Sequence, residues 1–226
     1  MVTLSTPATA ETITEHVDNY GSSTYNEDVT ASGLTSSGYG GAIDNEGTIE
    51  FGNTATFTSN TAYNEGGAIY NDENGTITFN STATFTENKA GDYSEGGAIA
   101  NYGNISFNAD ADFTSNTAGY GGAIYNDGGN ISFNADADFT SNTASVGGAI
   151  GNYNGSIEFG STATFKENKA TNGSAGAISN VGTIEFGNTA TFDSNTATNG
   201  SGGAIYNSGS NSKITFDGTA EFTSNK

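Results

Sequence analysis

Two short acidic stretches, Asp110-Ala111-Asp112 and Asp136-Ala137-Asp138, come closest in this chain to residues whose type and spacing do chemistry. Hydrolysis of a glycosidic bond needs two carboxyl groups held a set distance apart. A cluster of carboxylates can instead hold a hard cation such as calcium through oxygen. Glu50, Glu158 and Glu185, each between an isoleucine and a phenylalanine, are further carboxylate candidates. The two aspartate pairs are identical copies, however, whereas an acid and a base need environments that drive their pKa values apart. His16 is the sole histidine and there is no cysteine, which removes thiolate chemistry, sulfur-ligated zinc and disulfides. No catalytic residue is assigned and no cofactor is expected. Calcium at Asp110, Asp112, Asp136 and Asp138 is the one cation considered.

Composition narrows the partners. The 226 residues carry a formal net charge of −20, and the five basic residues are all lysine: Lys89, Lys166, Lys169, Lys213 and Lys226. Nucleic acid and anionic lipid are bound through Lys and Arg, so neither is expected as a partner. Lyases that cut acidic polysaccharides need cations around the substrate carboxylate, and this surface repels such a substrate. No apolar run is long enough to span a bilayer, so direct membrane insertion of this segment is not expected.

The acidic pairs belong to a repeat, and the repeat decides the fold. "GGAI" begins at Gly40, Gly66, Gly96, Gly121, Gly147 and Gly202, with "AGAI" at Ala175, giving spacings of 26, 30, 25, 26, 28 and 27 residues. Each unit reads GGAIxN, a turn, IxF, three turn residues, AxFxxNxA, and a loop back. All 14 phenylalanines fall at two positions of the unit, exemplified by Phe79, Phe107, Phe133 and Phe159 at the first and Phe85 and Phe113 at the second. Apolar residues alternate within each short run, which is the strand period. Gly, Asn and Asp turns separate the runs. No segment keeps a helical period.

Three short strands per coil predict an all-β fold: a right-handed, single-stranded parallel β-helix, or β-solenoid. It has about seven regular coils over residues 40–226, after an N-terminal capping segment and degenerate first coil at 1–39. Within that start, 13–39 reads as the imperfect coil and 1–12, with Pro7, as an extended cap. The sequence closes on "FTSNK" at the end of a coil, which reads as a piece of a longer array. Asn71, Asn101, Asn126 and Asn152 follow the isoleucine by two, and Asn60, Asn88 and Asn116 follow the second phenylalanine by three. Stacked amides both donate and accept, so these are expected to be structural ladders at coil corners, with Asn taking the left-handed turn conformation.

What remains for function is the outside. Thr54, Thr56, Thr58 and Thr82, Thr84, Thr86 set Thr-x-Thr on successive coils, a spacing seen on ice-binding solenoids, although later coils bring Lys166, Asp193 and Glu221 onto the same rows. Outward tyrosines follow the isoleucine (Tyr70, Tyr125, Tyr206) or sit near loops (Tyr63, Tyr93, Tyr102, Tyr120, Tyr153), where they can stack on sugars or contact protein. Insertions concentrate at the corner containing Tyr93 and at Ser208–Lys213.

The alternation of "GGAI" (Gly66–Ile69) with "FTEN" (Phe85–Asn88), "FTSN" at Phe57, Phe113, Phe139 and Phe222, "FKEN" at Phe165 and "FDSN" at Phe192 resembles the repeats of chlamydial polymorphic membrane proteins and similar autotransporter passengers. The resemblance implies a secreted or cell-surface passenger, attached to the outer membrane in the parent protein, that adheres to host cells, glycans or neighbouring proteins. The array departs from that family in its greater regularity, its lack of cysteine and the lack of a membrane-spanning barrel in this sequence. The expected function is therefore a non-catalytic adhesin or stalk whose partner is a host-cell or neighbouring-cell surface protein or glycan. Ice binding through the threonine rows is the alternative, and polysaccharide binding or hydrolysis the third reading.

Overall fold

Alternating small and large apolar residues in four-residue runs cannot bury a face alone, so each run stacks on its copy in the next coil. The computed structural model describes residues 10–226. The reading of 1–12 as a cap, Pro7 included, falls mostly on residues outside that range. Among the described residues the chain is all-β, with every strand pairing in parallel. Three sheets of eight, eight and nine strands run the length of a β-solenoid. We name them by their inward residues. The Ile–Asn sheet runs from Val17–Asn19 to Ile205–Asn207, the first-Phe sheet from Ser22–Tyr25 to Lys213–Phe216, and the second-Phe sheet from Glu11–Ile13 to Ala220–Thr223. Register is in step throughout: Ile69 faces Ile99, Phe79 faces Phe107 and Phe85 faces Phe113. The degenerate start joins in register, Val17 against Ile43, Asn19 against Asn45 and Tyr25 against Phe51.

The coil is richer than three strands. At the corner after each FxxN, Thr35–Ser36 pairs with Thr61–Ala62, and Thr143–Ala144, Lys169–Ala170 and Thr196–Ala197 pair together. Single bridges at Lys89 and Thr117 join the two sets into one more ladder. These two-residue steps are too short to show an alternation in sequence.

Phenylalanines fill the interior as two continuous stacks. Phe79 lies on Phe107 and Phe107 on Phe133 at 4.8 Å between ring centroids, tilted by no more than 3°. Within one coil the two rings meet edge to face, as for Phe107 and Phe113 at 5.9 Å and 82°. Both geometries suit the ring quadrupole. Tyr25 continues the first stack onto Phe51 at 5.1 Å.

Every buried polar side chain among the described residues is an asparagine. In the ladder through Asn71, Asn101, Asn126 and Asn152, each Nδ2 donates to Oδ1 of the next coil's asparagine at 2.7–2.9 Å. Its second hydrogen goes to a glycine carbonyl of its own coil, as from Asn101 to Gly103. In the FxxN ladder, Oδ1 of Asn116 accepts both the backbone N–H and Nδ2 of Asn88, while Nδ2 of Asn116 donates to the Phe85 carbonyl and to Asn142 Oδ1. The left-handed conformation expected of these asparagines belongs instead to the residue before each one. Ser59, Glu87, Ser115, Ser141, Glu167, Ser194 and Ser224 have φ of 55–58°. The asparagine is held by its four hydrogen bonds, so the turn's positive φ falls to its exposed neighbour.

The glycine pair has two separate causes. The first glycine has positive φ, 66° at Gly66, and a Cβ on the second, Gly67, would overlap the Gly97 carbonyl of the next coil. "AGAI" breaks the first rule: Ala175 is buried with φ of 71°. Left-handed backbone costs a non-glycine residue about 1–2 kcal/mol. Ala175→Gly is therefore expected to stabilise the array by about 1 kcal/mol, after the added entropy of the unfolded chain is offset. Asn116→Ala takes from the core the acceptor of the Asn88 N–H and Nδ2 and the side-chain donor to the Phe85 carbonyl, at about 1–3 kcal/mol per buried group left unpaired. It is expected to lower the denaturation midpoint more than any alanine on the threonine rows. Urea melts of the two variants check both signs.

Candidate functional site

The outward residues of the Ile–Asn sheet form three parallel rows, and chemistry collects there. The floor row, one residue after each inward isoleucine, reads Asp44, Tyr70, Ala100, Tyr125, Gly151, Ser179, Tyr206. One wall is the residue preceding each glycine pair, where Glu95, Tyr120 and Val146 bridge in order. The opposite wall follows the ladder asparagine and includes Tyr102, Asp127, Tyr153 and Val181. The floor alternates large and small, so tyrosine rings rise on either side of pits. Tyr39, Tyr70 and Tyr102 pack in a row at 4.6 and 5.4 Å between centroids. Tyr102 donates to Glu65 Oε2 at 2.6 Å, filling the pit over Ala100. The pit over Gly151 and Ser179 stays open as a cleft of about 350 Å³, walled by Glu95, Tyr120, Tyr125, Val146, Tyr153 and Val181.

Carboxylates on this face are crowded and poorly hydrated. Burial, then the adjacent Glu65, pushes the Glu95 carboxyl up to about 7. Burial, then Asp18, pushes Asp44 up to about 6, with His16 opposing, and Asp44 Oδ1 has no hydrogen-bond partner. Burial raises the hydroxyls of Tyr70, Tyr102 and Tyr125 as well, aided at Tyr102 by its bond to Glu65.

The structure places the other sequence candidates on separate surfaces. Asp112 and Asp138 face outward as paired neighbours on the second-Phe sheet, and Asp112 is raised by burial and then by Asp138. The four aspartates do not gather. Asp136 accepts from Ser161 Oγ at 2.6 Å and the Thr162 N–H at 3.1 Å, which lowers its pKa, and Asp110 accepts from the Asp136 N–H. Among the described residues no three His, Cys, Asp or Glu side chains come together as a metal site. The aspartates before the alanine thus tie one coil's turn to the next, a role that Asp28 repeats toward the Thr54 N–H. Thr56 pairs with Thr84 and Thr58 with Thr86, all partly exposed, and Thr54 and Thr82 precede them in the turn. The rows then meet Asp112, Asp138 and Lys166. Tyr93 is 93% exposed and stands with Tyr63 over a second cleft of about 520 Å³, beside the Lys89–Asp92 ion pair at 3.4 Å. Asn71, Asn101, Asn126, Asn152, Phe79, Phe107, Phe133 and Phe159 are interior.

Glu65, Glu95, Val146, Gly151 and Val181 were not singled out from the sequence. Their signal lies in single columns of the repeat, two glutamates before "GG" and a glycine in a column of tyrosines, visible only once coils are aligned across variable corners.

The model of the Chlamydia polymorphic membrane protein (Chlamydia_PMP) repeat matches residues 54–72, 110–127 and 189–208. Each match runs from the turn before a second-Phe strand through the asparagine corner to the end of the next GGAI strand. No curated protein and no solved structure matches the chain. Fold and rows together define a β-solenoid repeat protein with one aromatic, acidic face. Three stretches of its coils are similar to the polymorphic membrane protein repeat.

A carboxyl whose pKa is higher folded than unfolded binds more protons in the native state, so its contribution to stability falls as pH rises between the two values. For Glu95 that window runs from its ordinary 4.5 to about 7. The melting temperature is expected to be higher at about pH 5 than at about pH 8. Glu95→Gln should raise the alkaline value and flatten that part of the slope. Calorimetry across the range checks this.

Proposed function

We propose that the chain is a non-catalytic, surface-exposed repeat protein that attaches to a host-cell or neighbouring surface molecule through the tyrosine–carboxylate face of its Ile–Asn sheet. The observation that carries this reading is the gathering of tyrosines, crowded carboxylates and an open cleft on one face of the rod. Tyr120 and Tyr153 are 44% and 47% exposed beside that cleft, in the manner of residues that anchor recognition. The repeat family suggests a surface or outer-membrane location, which fits a rod built to present side chains. Catalysis finds little support: Asp110 and Asp136 serve as turn acceptors, and Asp112 and Asp138 are identical copies side by side on one sheet.

The test is attachment. Immobilised protein is expected to retain cultured epithelial cells or a subset of arrayed glycans, and Tyr125→Ser with Tyr153→Ser to reduce retention by about tenfold, a loss of 1.4 kcal/mol. Thr56→Ser with Thr84→Ser should leave it unchanged. Equal loss in both pairs, or no retention at all, defeats the reading.

Ice binding is the second reading, favoured by the in-register threonines Thr58, Thr86, Thr114 and Thr140 on successive coils. Against it, Asp112, Asp138 and Lys166 break the surface at the same level. Thermal hysteresis that disappears on Thr86→Asp would favour it over attachment.

A further inference from the structure

The open cleft is not chemically neutral. Its walls are tyrosine and valine, its floor is Ser179 and the backbone at Gly151, where a Cβ would meet the Tyr125 ring at 3.1 Å, and its one ionisable acid, Glu95, stands at one end. The face around it bears Asp44, Glu65, Asp72, Glu95 and Asp127, and none of the five lysines. The described ion pairs of those lysines are Lys89 with Asp92 and Lys166 with Glu167, both elsewhere on the coil. Glu95 and Tyr120 are direct neighbours across one coil step, so a cation lying over the Tyr120 and Tyr125 rings is also beside the carboxylate. Attraction to the ring faces and to a half-buried carboxylate act together there.

We propose that this cleft receives a lysine or arginine side chain of a partner polypeptide, its aliphatic stem over Gly151 between the valines and its cationic head over the tyrosine rings toward Glu95. The inference rests on the attachment reading and names the chemistry of the partner. A neutral sugar would use the tyrosines equally well, but it would leave the acids of this face without a counter-charge. It also has no use for the two valines, whereas the methylene stem of a basic residue packs on them.

The full chain is titrated at low salt with the blocked tripeptides Gly-Lys-Gly and Gly-Arg-Gly, followed by the ring resonances of Tyr120, Tyr125 and Tyr153. Blocked Gly-Leu-Gly, Gly-Glu-Gly and cellohexaose are the comparisons. The basic peptides alone are expected to shift those resonances, with affinity falling as salt rises. Glu95→Gln, and Gly151→Leu, which fills the cleft without changing charge, should each weaken binding by about tenfold or more. Ser179→Leu fills the same floor from the next coil and serves if Gly151→Leu does not fold. Glu158→Gln removes an equal charge from another face and should change nothing. Equal weakening by Glu158→Gln, shifts caused by cellohexaose and not by the basic peptides, or no shift at all overturns the inference. Cell attachment that persists without any basic-peptide shift overturns this inference alone. A basic-peptide shift in a chain that attaches to no cell supports the cleft chemistry and defeats the adhesion reading.

Discussion

A buried primary amide has to place two hydrogens and satisfy one oxygen, and in both ladders of this rod the amide oxygen and one hydrogen find their partners in adjacent coils. That requirement governs the rest. The ladder through Asn101 closes only when the next coil offers Asn126 Oδ1 at the same height, and the FxxN ladder only when Asn142 stands beside Asn116. A slip of one residue would turn the asparagines outward and leave buried N–H and C=O groups unpaired. The phenylalanines are the largest fully buried side chains, but rings attract rings at many offsets and discriminate register weakly. Burial drives the coils together, and the amides decide where they stop.

The same division explains which corners vary. The edge-to-face contact between the two rings of a coil, 5.9 Å for both Phe79–Phe85 and Phe133–Phe139, sets how far apart the first-Phe and second-Phe strands begin, and the corner between them is always three residues. The other corners close against backbone ladders that continue whatever loops out beyond them. They accept "YNE", "GDYSE" or "SGSNSK" without disturbing a ring or an amide. Length variation is therefore confined to the two corners that flank the Ile–Asn sheet, and the tyrosine–carboxylate face is bordered by the parts of the coil free to change.

Legibility in the sequence followed burial. Phe79, Phe107 and Asn101 announce strand, face and register because each occupies a place that nothing else fills. The αL residues were misassigned because the rule that Asn tolerates positive φ is local, and four hydrogen bonds from neighbouring coils outweigh it. The ladder at Thr143–Ala144 was invisible because two residues carry no period. The Asp-Ala-Asp runs drew notice as chemistry, yet Asp136 spends its carboxylate on Ser161 and Thr162. The cleft escaped notice for the opposite reason: Gly151 is informative only as a missing side chain between Tyr125 and Ser179, a relation between coils and not along the chain.

The two acidic surfaces differ in a way that bears on use. On the second-Phe sheet Asp136 sits among donors, and its charged form is favoured. On the Ile–Asn sheet Glu95 and Asp44 are partly desolvated beside other acids, and their charged forms are disfavoured. A scaffold whose register is set by interior amides can carry such a face, because the coils hold each carboxylate in place although it gains nothing by being there. Destabilisation of that kind is relieved by a positive charge brought beside the carboxylate, which favours its charged form. Asp136, which looks like chemistry, is at rest, and the glutamate that does not is under load.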